Sequence, residues 1–310
     1  MYNDQYSEYR IQYTENDAIA EKESKTLSIP ISSASGETKV ISDQARIWLW
    51  LSIAAALLAM AGSLIGLSVD SIYASLTPAF LPQALAQDIA NLLIASPALL
   101  ILAALALRGS LRAYLLWLGV LTFMVYNYVI YTFSIPFGPL FLVWVAVLGL
   151  CIYAVIGGVT AVDHRSVMAR YTSRQAVITV GWFLIITALL FGLLWLSEDV
   201  PALLASARPQ SVIDIGLPTN PVHILDLAFF LPAAIATGVL LLKRVPLAFT
   251  LAPGLIVFLI LTGLPILITP VVQTMRGMPP GWGVVAPIGT LTVLLLGVLA
   301  WMLSTIHPAE

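Results

Sequence analysis

The sequence predicts an all-α, polytopic membrane bundle of about eight transmembrane helices, with both termini cytoplasmic. Three observations carry this. Eight apolar stretches follow a polar amino-terminal segment, each about long enough to cross a hydrocarbon core near 30 Å thick. The chain is 60% hydrophobic and 10% charged, with mean hydropathy +0.96, whereas a soluble domain carries about 25% charged residues. Finally, the 14 Lys and Arg residues are sorted by side.

The stretches lie at 47–69, 89–107, 114–133, 139–162, 176–196, 222–242, 246–269 and 284–305. Taking the connections alternately from the amino end puts Arg10, Lys22, Lys25, Lys39, Arg46, Arg108, Arg112, Arg165, Arg170, Arg174, Lys243 and Arg244 on one side. Only Arg208 and Arg276 fall on the other. Basic residues are retained on the cytoplasmic side, so both ends are expected inside, in the plasma membrane. A wrong helix count would scramble the alternation, so the asymmetry supports the count as well.

Residues 1–45 read as a disordered cytoplasmic tail, 46–306 as the eight-helix domain, and 307–310 as a short cytoplasmic end. The tail is rich in Ser, Thr, Glu and Lys and has too little apolar surface to offset the entropy of ordering. Its eight acids outnumber its basic residues, so it is no polybasic lipid anchor. Tyr2, Tyr6, Tyr9, Tyr13 and the serines at 32–35 offer a docking or phosphorylation segment; a plain solvated tether is the alternative. Residues 1–20 hold no apolar run, so the first stretch is expected to serve as an uncleaved signal anchor.

Stretch 1 contains Gly62-x-x-x-Gly66, a spacing that lets helix backbones approach closely, within the bundle or in a dimer. Tryptophans mark the ends: Trp48, Trp50, Trp117, Trp182 and Trp301 near the inner boundary, Trp195 and Trp282 near the outer one. Indole favours that depth because its body is apolar and its N–H is polar. Trp144 is deeper and packs. Cys151, the only cysteine, rules out an internal disulfide and reads as a small buried hydrophobe. Pro232, Pro253 and Pro265 fall in stretches 6 and 7; each removes a backbone donor, so kinks are expected around a cavity or as ordinary tolerance. The 1–2 and 5–6 connections, about 20 to 25 residues each, carry short apolar pieces that lie on the outer interface or cap the bundle. The two halves share no convincing motif.

Polar groups collect in the outer half. Asp226 is the one acid well inside a stretch by these boundaries, and such groups need a partner or water. Asn220 as N-cap and Pro221 at the first helical position open that helix. His223 and Asp226 then share a face, with Asp226 about 9 Å below the helix start at 1.5 Å per residue. Asn127 and Tyr131, one turn apart in stretch 3, sit at similar depth. Asp88, Asn91, Thr262 and Thr290 complete the set from stretches 2, 7 and 8. Either these side chains cross-link helices, at about 0.6 kcal/mol each, or they line an outward-facing polar pocket.

Several functions are excluded. No basic face exists for nucleic acid. The three histidines are too scattered for axial haem ligands, and no metalloprotease motif, mid-stretch lysine or phosphate loop is present. No cofactor, metal site or catalytic residue is assigned. A Ser134, His223, Asp226 grouping lacks a nucleophile elbow.

The segment Asn220-Pro221-Val222-His223-x-Leu225-Asp226-Leu227, followed by Phe229-Phe230-Leu231-Pro232, resembles a stretch found in a family of prokaryotic multi-pass membrane proteins with no established activity. Tyr126-Asn127-Tyr128 and Pro139-Leu140-Phe141 have the same character. The resemblance implies an eight-helix prokaryotic membrane protein and transfers no functional residue.

Three functions stay open. The first is a protein that binds or transports a small polar solute or proton, with Asp226 as the charged group, His223 as its titrating partner, and Asn127 and Tyr131 orienting the ligand. The second is a scaffold or sensor subunit whose tail, residues 1–45, recruits a cytoplasmic partner. The third is an intramembrane enzyme acting on a lipid-linked substrate. In each, the lipid bilayer is the surrounding partner.

Overall fold

The structure is a computed structural model and describes residues 40–307. Eight helices in it are long and apolar enough to cross a membrane: α1 (Ala45–Ser68), α2 (Leu81–Leu107), α3 (Leu111–Ser134), α4 (Phe141–Thr160), α5 (Arg174–Leu204), α6 (Pro221–Leu242), α7 (Pro246–Met275) and α8 (Trp282–Ser304). Local chemistry fixes several starts. Ser110 and Ser173 cap α3 and α5 by accepting from Ala113 N and Ala176 N. Asn220 Oδ1 accepts from Val222 N and His223 N, with Pro221 at the first position of α6, as the sequence predicts.

Both ends of the described chain meet one connection. Ile41 bridges Val162, and Ile306 bridges Tyr171, both between α4 and α5. Both ends of the described chain therefore lie at the same face of the bundle. We call this face basal and the opposite one distal. Residues 40–44, assigned above to the tail, belong to the bundle: Ser42 N donates to Ala161 O at 2.9 Å and Asp163 N to Val40 O at 3.0 Å. Residues 1–39, and with them the docking reading of the tail, lie outside the described residues. So do residues 308–310.

Two helices run further distally than the hydropathy pattern indicates. α2 begins at Leu81 rather than 89, and α5 continues to Leu204 rather than 196. The extra turns carry Gln83, Gln87 and Asp88 in one case and Glu198 and Asp199 in the other, which depress a hydropathy window. Tertiary hydrogen bonds satisfy the three acids, and Gln83 and Gln87 bond locally to Ala79 O and Asn91 Oδ1. Asp226 is therefore not the one acid inside a span, since Asp88 is 1% exposed.

α3 is the central helix. Trp117, Tyr114, Tyr128 and Phe123 on it are among the largest fully buried side chains. Trp117 is no boundary residue: its indole N–H donates to Ser52 Oγ at 2.9 Å. Trp48 also packs inward, against Gly157. Trp50, Trp182, Trp282 and Trp301 are exposed, as a belt requires. Gly62 and Gly66 serve packing inside the bundle, facing Val143 and the Asp88–Tyr73 pair. Cys151 is buried.

The helices form two four-helix units with the same neighbours. α1 packs on α2 and α4, and α3 on α2 and α4; α5 packs on α6 and α8, and α7 on α6 and α8. The units join chiefly where α3 crosses α7, at Gly119 and Gly254. These glycines are 135 residues apart in sequence (254 minus 119). The same step carries the first residue of α3 (Leu111) onto that of α7 (Pro246). It carries Asn91, which opens a π-helical turn in α2, onto Asp226, which opens one in α6. Pro97 maps to Pro232, and Gly109 to Arg244, both of which have positive φ. The two halves thus repeat these landmarks at a constant step of 135 residues, although they share no contiguous sequence motif.

Candidate functional site

The same 135-residue step relates two polar pairs next to the π-helical turns: Asp88-x-x-Asn91 in α2 and His223-x-x-Asp226 in α6. A π-turn admits one extra residue and turns the following side chains relative to the preceding ones. Pro97 and Pro232 sit two residues past the ends of these turns, where a missing N–H is tolerated by the displaced ladder.

The α2 pair is closed by its neighbours. Tyr73 Oη donates to Asp88 Oδ2 at 2.6 Å and Tyr131 Oη to Asp88 Oδ1 at 2.9 Å. Asn127 Nδ2 donates to Asn91 Oδ1 at 3.0 Å. Asn127 and Tyr131 thus bond to α2, on the same residues the sequence places at similar depth.

The α6 pair differs from expectation. His223 meets Asp199 rather than Asp226: its Nδ1 lies 3.0 and 3.1 Å from the two Asp199 oxygens, and its Nε2 lies 3.9 Å from Glu198 Oε2. Asp226 Oδ2 accepts the Trp195 indole N–H at 2.8 Å. The same indole stacks on the His223 ring, with centroids 4.5 Å apart and an interplanar angle of 27°. Trp195 therefore links the two groups. Trp195, Glu198 and Asp199 lie on one face of α5 at helical spacing. Read as a boundary marker and two loop acids, they were invisible as a site, although a search for partners of His223 at the end of stretch 5 would have found them.

Two adjoining cavities open beside these groups. The larger, about 520 Å³, lies between α2, α3, α6 and α7 and is lined by Asn127, Tyr131 and His223 among others. The smaller, about 80 Å³, is lined by Asp226. Tyr126, Trp195, Val222, Thr262 and Ile266 wall both. Three of the four sequence-chosen residues thus border one cavity, and the fourth lies behind its wall. Thr262 lines both cavities. Thr290 is exposed, and Thr292, two residues further on, lines the smaller cavity instead.

The Tyr126 ring is fixed edge-on against Phe230 and Phe258, with centroids 5.1 and 5.4 Å away. Its hydroxyl is buried beside the Asp226 carboxylate and makes no hydrogen bond of good geometry among the described residues. Buried polar groups are ordinarily paired, so an orphan hydroxyl on a cavity wall is a place for a ligand or water.

The distal connections roof the large cavity. A short helix, Gln210–Ile215, contributes Ser211, Asp214 and Ile215, and the 1–2 connection contributes Ala79 and Phe80. Thr77 Oγ1 donates to Asp214 O at 2.8 Å, joining the two. These segments cap the bundle rather than lying along its side. On α7, Pro265 and Pro270 line the same cavity within an unbroken helix. Among the described residues no three His, Cys, Asp or Glu side chains converge as a metal site would require.

Comparison with known proteins returns no matching family model, no matching curated protein and no matching solved structure.

Proposed function

We propose that this chain is a multi-pass protein of the plasma membrane that binds a small polar solute in the distal cavity, as a transporter or binding protein, with the basal face in the cytoplasm. The carrying observation is the 520 Å³ cavity bordered by His223, Asn127, Tyr131 and the orphan Tyr126 hydroxyl. Ligand pockets fall at about 300–1,000 Å³, mostly apolar with a few placed polar groups. In this reading Asp226 and His223 supply charge, held by Trp195, while Asn127 and Tyr131 orient the solute.

A metabolite panel screened by thermal shift on the protein in nanodiscs tests the reading. At least one solute should raise the melting temperature of wild type, and Asp226→Asn should reduce that rise. Identical, flat responses from both proteins would remove the pocket as a binding site.

The proposed orientation is supported by basic residues on the basal face (Arg46, Arg108, Arg112, Arg165, Arg170, Arg174, Lys243 and Arg244) against Arg208 and Arg276 on the distal one. The lone native cysteine is buried, so introduced thiols report cleanly. An impermeant maleimide on intact cells should label Ser71→Cys and spare His307→Cys; the reverse pattern would invert the protein.

One observation favours a second reading, an enzyme on a lipid-linked substrate. With Nδ1–H held by Asp199, His223 Nε2 becomes the acceptor, the arrangement of an oriented general base.

A further inference from the structure

Resting on the solute-binding reading, we propose that the ligand of the distal cavity is an organic cation, a compound carrying an amine or quaternary ammonium group. The charge of the walls comes first. Glu198 and Asp214 line the large cavity and Asp226 the small one, while no Lys or Arg lines either. The two distal arginines are turned elsewhere: Arg208 Nη2 donates to Leu217 O at 2.6 Å, and Arg276 lies 3.9 Å from Asp70. His223 is the one basic group on the wall, and Asp199 already holds it. An anionic solute would enter a site of carboxylates with no free cation to pair it, and an uncompensated charge in a desolvated site is costly.

The carboxylates are positioned but not used up. Glu198 Oε1 accepts from Ser211 N at 2.9 Å, and Asp214 Oδ1 from Gln210 Nε2 at 2.6 Å. These bonds fix each group; among the described residues they leave Asp214 Oδ2 without a hydrogen bond and Glu198 Oε2 with only the more distant His223 Nε2, 3.9 Å away. The remaining wall is aromatic, with Phe80, Tyr126, Tyr131 and Trp195. Ring faces attract cations, the more so where water is excluded. The independent sign of a ligand is Tyr126. The residue is 4% exposed and lies on the wall shared by both cavities, and its hydroxyl sits beside the Asp226 carboxylate without a hydrogen bond of good geometry among the described residues. A hydroxyl is an acceptor as well as a donor, so it can take an ammonium N–H or lie against an N-methyl group. Acid at the roof, aromatic sides and a hydroxyl at depth form a path that a cation can follow inward.

The test uses full-length protein in nanodiscs, titrated with choline, tetraethylammonium and putrescine, and in parallel with acetate, inorganic phosphate and glucose, by thermal shift and calorimetry. At least one ammonium probe should bind and the other class should not. Glu198→Gln and Asp214→Asn should each weaken that binding by about tenfold. Glu198→Gln retains the oxygen that accepts from Ser211 N, so its melting temperature without ligand reports folding separately. Tyr126→Phe should weaken binding without changing the ammonium-over-anion preference. Binding of acetate, phosphate or glucose with the ammonium probes silent would overturn the cation class and leave the pocket standing. Ammonium binding that ignores all three substitutions would place it elsewhere and also overturn the proposal. Silence of both probe classes, with no solute in the wider panel sensitive to Asp226→Asn, would sink this inference and the pocket together.

Discussion

Gly119→Val is expected to be the most damaging single substitution in the bundle, because no side chain can yield to it. A Cβ at Gly119 would lie 2.5 Å from the Gly254 carbonyl oxygen, 2.8 Å from Gly254 Cα and 2.6 Å from Val257 Cβ. Two of those three atoms are backbone, and the third is the stiff base of a β-branched residue. α3 and α7 would have to separate, and with them the two four-helix units. Small residues permit such crossings in membranes, where helices gain little from hydrophobic burial and depend on close packing. Overpacking costs about 1–3 kcal/mol for modest additions, so Gly119→Ala should fall in that range and Gly119→Val beyond it. The partner position is an internal control. A Cβ on Gly254 would meet Gly119 N at 3.3 Å and Leu115 O at 3.6 Å, so Gly254→Ala should melt closer to wild type. Thermal denaturation of the three variants in one detergent checks the order. Equal melting of Gly119→Ala and wild type would mean that the helices do not cross at these residues.

That crossing also makes sense of the unequal halves. The 135-residue step gives each half a polar pair beside its π-helical turn. In the first half two tyrosines seal Asp88, and in the second Trp195 and Asp199 hold Asp226 and His223 at the edge of a cavity. Tyr73 lies in the connection after α1 and folds back onto Asp88. The corresponding partners of the second pair come from the extended end of α5. One half thus holds a fixed brace while the other retains space beside its pair.

Helix number and the sorting of basic residues are legible in the sequence because both follow from averages over about 20 residues, which single side chains barely disturb. The N-cap and proline at Asn220–Pro221 are legible because they are local. Helix ends near Asp88 and Glu198 are not, because polar residues there are satisfied by partners far along the chain. Tyr73 and Tyr131 reach Asp88, and His223 reaches Asp199 across 24 positions. Trp117 and Trp195 show the same limit: a tryptophan near a span end reads as a belt residue until the fold places Ser52 or Asp226 against its N–H. His223, Asn127 and Tyr131 border one cavity and Asp226 its neighbour, but His223 pairs with Asp199, since helical spacing fixes a shared face but not what crosses from the next helix.

Removing the Asp88 carboxylate should destabilise the first half severely, and the size of the loss should depend on its two tyrosines. Asp88→Ala would leave the Tyr73 and Tyr131 hydroxyls, both buried, without their acceptor. An orphaned buried donor costs about 1–3 kcal/mol, so the pair implies a loss of about 2–6 kcal/mol, reduced where Tyr131 turns fully to Ala84 O, already 3.3 Å away. Asp88→Asn keeps an acceptor oxygen and should fall between Asp88→Ala and wild type. The diagnostic measurement is the triple variant. Deleting both members of a hydrogen bond can be nearly neutral where deleting one is not, so Asp88→Ala added to Tyr73→Phe and Tyr131→Phe should cost much less than Asp88→Ala alone. That non-additivity, read from melting temperatures around the mutant cycle, separates a brace from a ligand site. A brace loses stability and regains much of it when its partners are removed together. If Asp88 instead received a solute or ion, the three changes would add in stability and appear as lost binding, and the division of labour between the two halves would be wrong.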